Sequence, residues 1–157
     1  MKYSNFSLFV FAAVFMFTSA CKTFEVKNVN YAQQVESVLE PTQNGQVDDS
    51  RYGISFNILP FQYQEMQDSS SVLVNEVRLI RNQSGYYFIT ANGFNNVYVM
   101  EPIDSGLKLK EKITISESGL IKPAFNLRSP YVQLIDTETS EIYILNEKGI
   151  KKEEDKS

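Results

Sequence analysis

The feature that most constrains this chain is a period of two that begins at Arg51 and recurs along most of the residues as far as Asn146. Tyr52, Ile54, Phe56 and Ile58 alternate with Arg51, Gly53, Ser55 and Asn57. Successive side chains of a strand point to opposite faces, so a run of this kind buries one face and wets the other. At Leu59 the phase slips by one residue. Leu59, Phe61 and Tyr63 now alternate with Pro60, Gln62 and Gln64, which predicts a bulge, with Pro60 confining it to an edge. Glu65 to Ser71 is polar and serine-rich and reads as a loop.

The same signature returns six more times. Val72 to Arg81, Tyr86 to Thr90 and Asn96 to Glu101 read as strands, separated by Asn82-Gln83-Ser84-Gly85 and by Asn92-Gly93. In the last of these, Val97 and Val99 oppose Tyr98 and Met100, so both faces are apolar and the strand is predicted to lie centrally, covered on both sides. Leu107 to Ile115 sets Leu107, Leu109, Ile113 and Ile115 against Lys108, Lys110, Lys112 and Thr114, with Glu111 out of place on the apolar side. Leu120 to Pro130, with Pro123 and Pro130, is predicted to be an irregular link. Tyr131 to Asp136 and Glu141 to Asn146 form a hairpin around Thr137-Glu138-Thr139-Ser140.

Tyr87 to Met100 and Val132 to Leu145 echo one another as strand, polar turn and strand. The echo resembles the hairpin unit of a β-propeller blade, but the chain is too short for about four or more blades. The expectation is therefore an all-β domain, an antiparallel β-sandwich or meander of roughly seven to nine short strands, whether or not its hairpins are blade-like.

Before Arg51 the pattern changes. Tyr31, Val35, Val38 and Leu39 fall at helical spacing between Asn30, a capping residue, and Pro41, a stop, so a short helix is predicted over Asn30 to Glu40. Thr42 to Ser50 carries turn residues and reads as a loop. The resulting organisation is a leader over residues 1–20, a tether with the short helix over 21–50, the all-β domain over 51–150 and a charged tail over 151–157.

The leader has the order of an export signal: Lys2, an apolar run from Phe6 to Phe17, then small residues. Thr18-Ser19-Ala20-Cys21 resembles the lipobox of bacterial lipoproteins, with Ser19 and Ala20 as the small residues and Thr18 where leucine is usual. The resemblance covers residues 1–21 only. It implies cleavage before Cys21, a diacylglycerol thioether on that cysteine and attachment to a membrane of the cell envelope. A lone cysteine in an exported chain has no disulfide partner within the chain, which agrees with lipidation.

Composition excludes several classes of chemistry. There is no histidine and no second cysteine, so histidine-based triads, histidine zinc sites, thiolate metal sites and redox pairs are ruled out. The formal charge of −4, which becomes −5 once Lys2 is removed with the leader, argues against nucleic acid as a partner. Carboxylate pairs such as Asp48-Asp49, Glu101 with Asp104 and Asp136 with Glu138 lie in turn-like sequence and read as solvated. No catalytic residue, metal ligand or cofactor is expected. The aromatic and amide residues Tyr86, Tyr87, Asn92, Phe94, Asn95, Asn96 and Tyr98 are the candidate binding surface, suited to a protein partner or to a polar ligand. The resulting expectation is a non-catalytic, lipid-anchored envelope protein that binds another protein as accessory or scaffold. The alternative is a module for an extracellular glycan or a small polar ligand.

Overall fold

The computed structural model describes residues 35–104 and 106–151, and the predicted leader, Cys21 and most of the charged tail lie outside them. The fold is all-β and antiparallel, with one short helix. Eleven strands are present among the described residues, more than the seven to nine expected. A five-stranded sheet runs in the order β1 (Ser37–Leu39), β4 (Val77–Arg81), β5 (Tyr87–Ala91), β6 (Asn96–Ile103) and β7 (Gly106–Thr114). A four-stranded meander is built from β8 (Pro123–Arg128), β9 (Tyr131–Asp136), β10 (Glu141–Asn146) and β11 (Gly149–Ile150). A two-stranded hairpin joins β2 (Gln46–Asp49) to β3 (Ile54–Asn57). The helix, α1, spans Leu59–Met66.

The five-stranded sheet has a core on each face. On one face Ile80, Phe88, Val97 and Val99 pack with Phe125, Val132, Leu134 and Leu145 of the meander. On the other, Leu79, Ile89, Tyr98 and Met100 pack with Val47, Ile58, Phe56 and Phe61 of the hairpin and α1. The two-sided apolar pattern of β6 is thus realised, with Val97 and Val99 on one side and Tyr98 and Met100 on the other. The two echoing hairpins are β5–β6 and β9–β10, which belong to facing sheets rather than to blades of a propeller.

Four stretches read from the sequence are corrected. The phase-slipped strand and loop predicted from Leu59 onward contain α1. Phe61, Gln62, Glu65 and Met66 are the covered residues, with Ile58 before them, whereas Pro60, Tyr63 and Gln64 are exposed. That is helical spacing, hidden because two of the inward positions are polar. Pro60 sits in the first helical turn, where its missing N–H costs nothing.

The predicted Asn30–Glu40 helix is replaced, over its described part, by β1, which pairs Ser37, Val38 and Leu39 with Leu79, Arg78 and Val77. Its would-be apolar stripe is not buried as one face, since Val35 and Val38 are each about half exposed, at 49% and 48%. The packed unit therefore begins ahead of Arg51, and the predicted 42–50 loop holds β2, with Val47 fully buried.

The predicted link from Leu120 to Pro130 contains β8. Pro123 opens that strand and Pro130 lies beyond its end, on an edge of the meander where a missing amide is tolerated.

The fourth correction concerns β7. Its register with β6 shifts between Val99 and Met100, where Glu111 pairs with Val99 and Leu109 with Met100. The extra residue, Lys110, reverses the facing of everything before it. Ile113 and Ile115 face the meander, whereas Leu107 faces the hairpin and α1. One apolar face was expected and two half-faces are present, which also accounts for Glu111 lying in phase with Ile113.

Candidate functional site

The seven residues expected to form a binding surface do not lie together on one. Tyr86 and Tyr87 point to opposite faces, as adjacent strand residues must. Tyr86 lies toward the meander with the Lys110 ammonium 4.9 Å from its ring centre, and Tyr87 lies on the hairpin side. Phe94 and Tyr98 are fully buried and Asn96 nearly so, at 6% exposure. Asn92 and Asn95 are half-buried in the connection from β5 to β6.

Asn95, Asn96 and Tyr98 instead converge on one carboxylate, that of Glu65 on α1. The Asn95 backbone N–H donates to Glu65 Oε2 at 2.7 Å, and Asn96 Nδ2 donates to Oε1 and Oε2 at 2.8 and 3.1 Å. The Tyr98 hydroxyl donates to Oε1. Lys112 Nζ stands 3.9 Å from the same oxygen and 5.6 Å from the Tyr98 ring centre. Asn96 Oδ1 in turn accepts from Thr114 Oγ1 at 2.8 Å. Burial, and then the carboxylate beside it, push the Tyr98 hydroxyl far above the usual tyrosine range, so it stays protonated and acts as a donor. The Glu65 side chain has no exposed surface. A carboxylate so enclosed and so fully bonded is an anchor fastening α1 to the sheet.

A second polar residue of α1 does similar work. Gln62 is fully buried; its Nε2 donates to the carbonyls of Asp68 and Ser71 at 2.9 and 2.8 Å, and its Oε1 accepts from Leu73 N at 2.8 Å. The segment after the helix is thereby held against it.

Between β3 and the five-stranded sheet lies a cleft of about 650 Å³. Its floor is the hairpin-side face of β5 and β6, through Tyr87, Ile89 and Met100, and one wall is β3. Phe56 and Phe61 meet with ring centres 6.0 Å apart, and Phe61 meets Tyr98 edge-on at 4.8 Å, so the cleft wall is braced by the Glu65 cluster. Ile103 and Leu107 close the end near the β6–β7 turn, and Ile103 is 49% exposed at the mouth. The bulge at Lys110 is what turns Leu107 to this side.

Among the described residues the lining contains no carboxylate, ammonium or guanidinium. Ser55 reaches the cleft edge, but its hydroxyl donates away from it, to Asp48 Oδ1 at 2.6 Å. Tyr87 adds a side-chain hydroxyl to the lining, and its ring is held edge-on by Tyr52 at 5.7 Å. The volume falls within the roughly 300–1,000 Å³ of small-molecule sites, and the surface suits an uncharged apolar group. Of the seven residues anticipated from sequence, Tyr87 alone lines this cleft. Phe56, Phe61, Met100, Ile103 and Leu107 come from four separate elements; in sequence Ile103 reads as part of a turn and the others as apolar strand positions.

Elsewhere, Asp136 is almost fully buried and accepts from the backbone N–H groups of Ile121, Lys122 and Glu138 at 2.7, 3.1 and 3.1 Å. Burial alone would raise its carboxyl, but these bonds outweigh that and hold it below its ordinary value of 3.8. Glu36 takes the Phe125 N–H at 2.6 Å and Arg78 at 3.1 Å, joining β1 and β4 to β8. Among the described residues no group of three or more acidic, histidine or cysteine side chains is placed to hold a metal ion, and no helix is long and apolar enough to cross a membrane. No family model, curated protein or solved structure matches the chain.

Proposed function

We propose that this chain is a non-catalytic, membrane-tethered envelope lipoprotein that acts as an accessory or scaffold subunit. In this reading a partner protein seats an apolar group in the cleft between β3 and the five-stranded sheet. The observation that carries the reading is that cleft: large, apolar, aromatic and, among the described residues, without a charged group in its lining. A glycan or other polar ligand needs converging donors and acceptors. The asparagines that were to supply them are spent on Glu65 or lie apart from the cleft, so an apolar partner is favoured. The tether rests on the lipobox-like Thr18-Ser19-Ala20-Cys21. Several acyl chains on one cysteine anchor stably, at about 0.8 kcal/mol per buried methylene.

A photo-activated crosslinking side chain in place of Ile103, at the cleft mouth, tests both parts in cells. The expected result is one discrete envelope protein joined to the chain. With Cys21→Ser, incorporation of labelled fatty acid and the crosslink should both be lost. Labelled fatty acid that never enters the wild type, or irradiation that joins no discrete protein to it, refutes the corresponding part.

A further inference from the structure

The wall of the cleft is a strand whose outer edge is free among the described residues. The β2–β3 hairpin is a sheet of two, so β3 pairs with β2 on one side and with no described strand on the other. Which main-chain groups point outward is fixed by the register. Ile58 N–H donates to Gly45 carbonyl oxygen at 2.8 Å, and the pairs Val47 with Phe56 and Asp49 with Ile54 continue the same alternation. Antiparallel strands alternate hydrogen-bonded and non-hydrogen-bonded pairs, so Ile54 and Phe56 spend their main-chain groups on β2. Ser55, opposite Asp48, directs its N–H and C=O away from β2. Residues of both parities, Gly53 and Ser55 as well as Ile54 and Phe56, line the cleft, which places the cleft along this edge rather than beneath one face. Ser55 is exposed there.

The cleft therefore offers a main-chain donor and acceptor beside an apolar floor. A compact hydrophobic molecule would use the floor and leave the edge unpaired. An extended peptide uses both: its backbone pairs with Ser55, and every second side chain drops onto Tyr87, Phe61 and Leu107. Positive charge also stands beside Tyr87, outside the lining itself. Arg81 has no carboxylate partner among the described residues, and its guanidinium lies 5.6 Å from the centre of the Tyr87 ring. Building on the proposed partner-binding role of this cleft, we infer that its occupant is an extended segment of the partner, added as a third strand to the β2–β3 hairpin, with apolar residues at alternate positions and an acidic residue toward Arg81.

Proline at Ser55 isolates the claim. It removes the outward N–H and leaves the β2 pairing intact, because that amide is not used there, and edge strands tolerate proline. Ser55→Ala is the matched control, since both variants lose the hydroxyl bond to Asp48. The probe is a phage-displayed pool of random dodecapeptides selected on the full chain in detergent. The neutral dye Nile red serves as a second probe that reports the apolar cleft alone.

Enriched peptides are expected to alternate apolar and polar residues. They should bind wild type and Ser55→Ala within about threefold and Ser55→Pro at least about tenfold more weakly, while Nile red binds all three alike. Three results overturn strand addition: enriched peptides without alternation, equal peptide binding by Ser55→Pro and Ser55→Ala, or a pool with no binder sensitive to Ile103→Asp. If Nile red binding is nevertheless abolished by Ile103→Asp, the cleft remains a binding site and only the strand-addition mode fails. Nile red binding unaffected by Ile103→Asp removes the cleft reading itself.

Discussion

Replacing Glu65 with methionine tests the anchor that holds α1, and with it Phe61, against the sheet. Methionine nearly preserves the volume and the apolar stem, so packing changes little. Three donors lose their acceptor: the Asn95 N–H, Asn96 Nδ2 and the Tyr98 hydroxyl. Each buried donor left unpaired costs about 1–3 kcal/mol. Asn95 is only half-buried and can recover water, whereas Tyr98 is fully enclosed, so the three do not contribute equally. Lys112 is 38% exposed and recovers its solvation, so its pairing with Glu65 adds little. Removing the carboxylate also ends the cost of burying a charge, which offsets part of the loss. The net expectation is a destabilisation of about 3–5 kcal/mol.

The assay is urea unfolding followed by far-UV circular dichroism, since the chain has no tryptophan to report by fluorescence. An unchanged m-value with a lowered midpoint is required for the comparison. A double-mutant cycle with Tyr98→Phe sharpens it. If the hydroxyl acts through Glu65, the phenylalanine change should cost at least about 1 kcal/mol less in the methionine background than in wild type. A loss below about 1 kcal/mol for Glu65→Met, together with no coupling to Tyr98, would refute the anchor.

Three further outcomes rest on the same geometry. Gln62→Leu strips the partners from Asp68, Ser71 and Leu73 and should cost about 2–4 kcal/mol, with backbone amides of residues 68–73 exchanging faster in hydrogen-exchange measurements. Asp136 has its carboxyl held below 3.8, so its contribution is fully present above that pH and is lost as pH falls through the lowered value. Asp136→Asn should therefore be less stable than wild type by about 1–3 kcal/mol at neutral pH, and acid titration of both proteins should show the gap narrowing below 3.8. Gly119 has φ +86°, and a Cβ there would stand 3.0 Å from the Gly93 carbonyl oxygen, so Gly119→Ala should lower stability by about 2 kcal/mol or more in thermal or urea unfolding.

Strands with an unbroken local period were legible in the residues alone. β3, β5, β6, β9 and β10 lie within one to three residues of their sequence readings, and the covering of β6 on both faces follows from Val97 to Met100 alone. The readings failed where a distant contact decided the matter. Gln62 and Glu65 occupy the buried stripe of α1, but as polar residues they register as solvent-facing until the donors of Asn95, Asn96, Tyr98 and Leu73 are brought to them. Pro123 suggests a break, yet β8 is an edge strand and accommodates it.

The candidate site followed the same division. Tyr86 to Tyr98 stands out because aromatic and amide residues are dense there. Local density does not say whether a ring meets solvent, and Phe94 and Tyr98 meet the core. The cleft was illegible because its walls come from β3, α1, β5, β6 and β7, and because one added residue in β7, Lys110, chooses which leucines face it.

By itself, then, the sequence determined an all-β, acidic chain without histidine or a second cysteine, and it carries a stretch, residues 18–21, that resembles a lipobox. Those properties are composition and short-range periodicity, which depend on residues near one another along the chain. The tertiary structure alone decided that a proline-led segment became a helix, that β7 divided its leucines and isoleucines between two cores, and that β3 lies beside an apolar cleft with no strand on its outer edge among the described residues. Each of those depends on which strands meet and in what register, and pairing across tens of residues leaves no mark in local alternation.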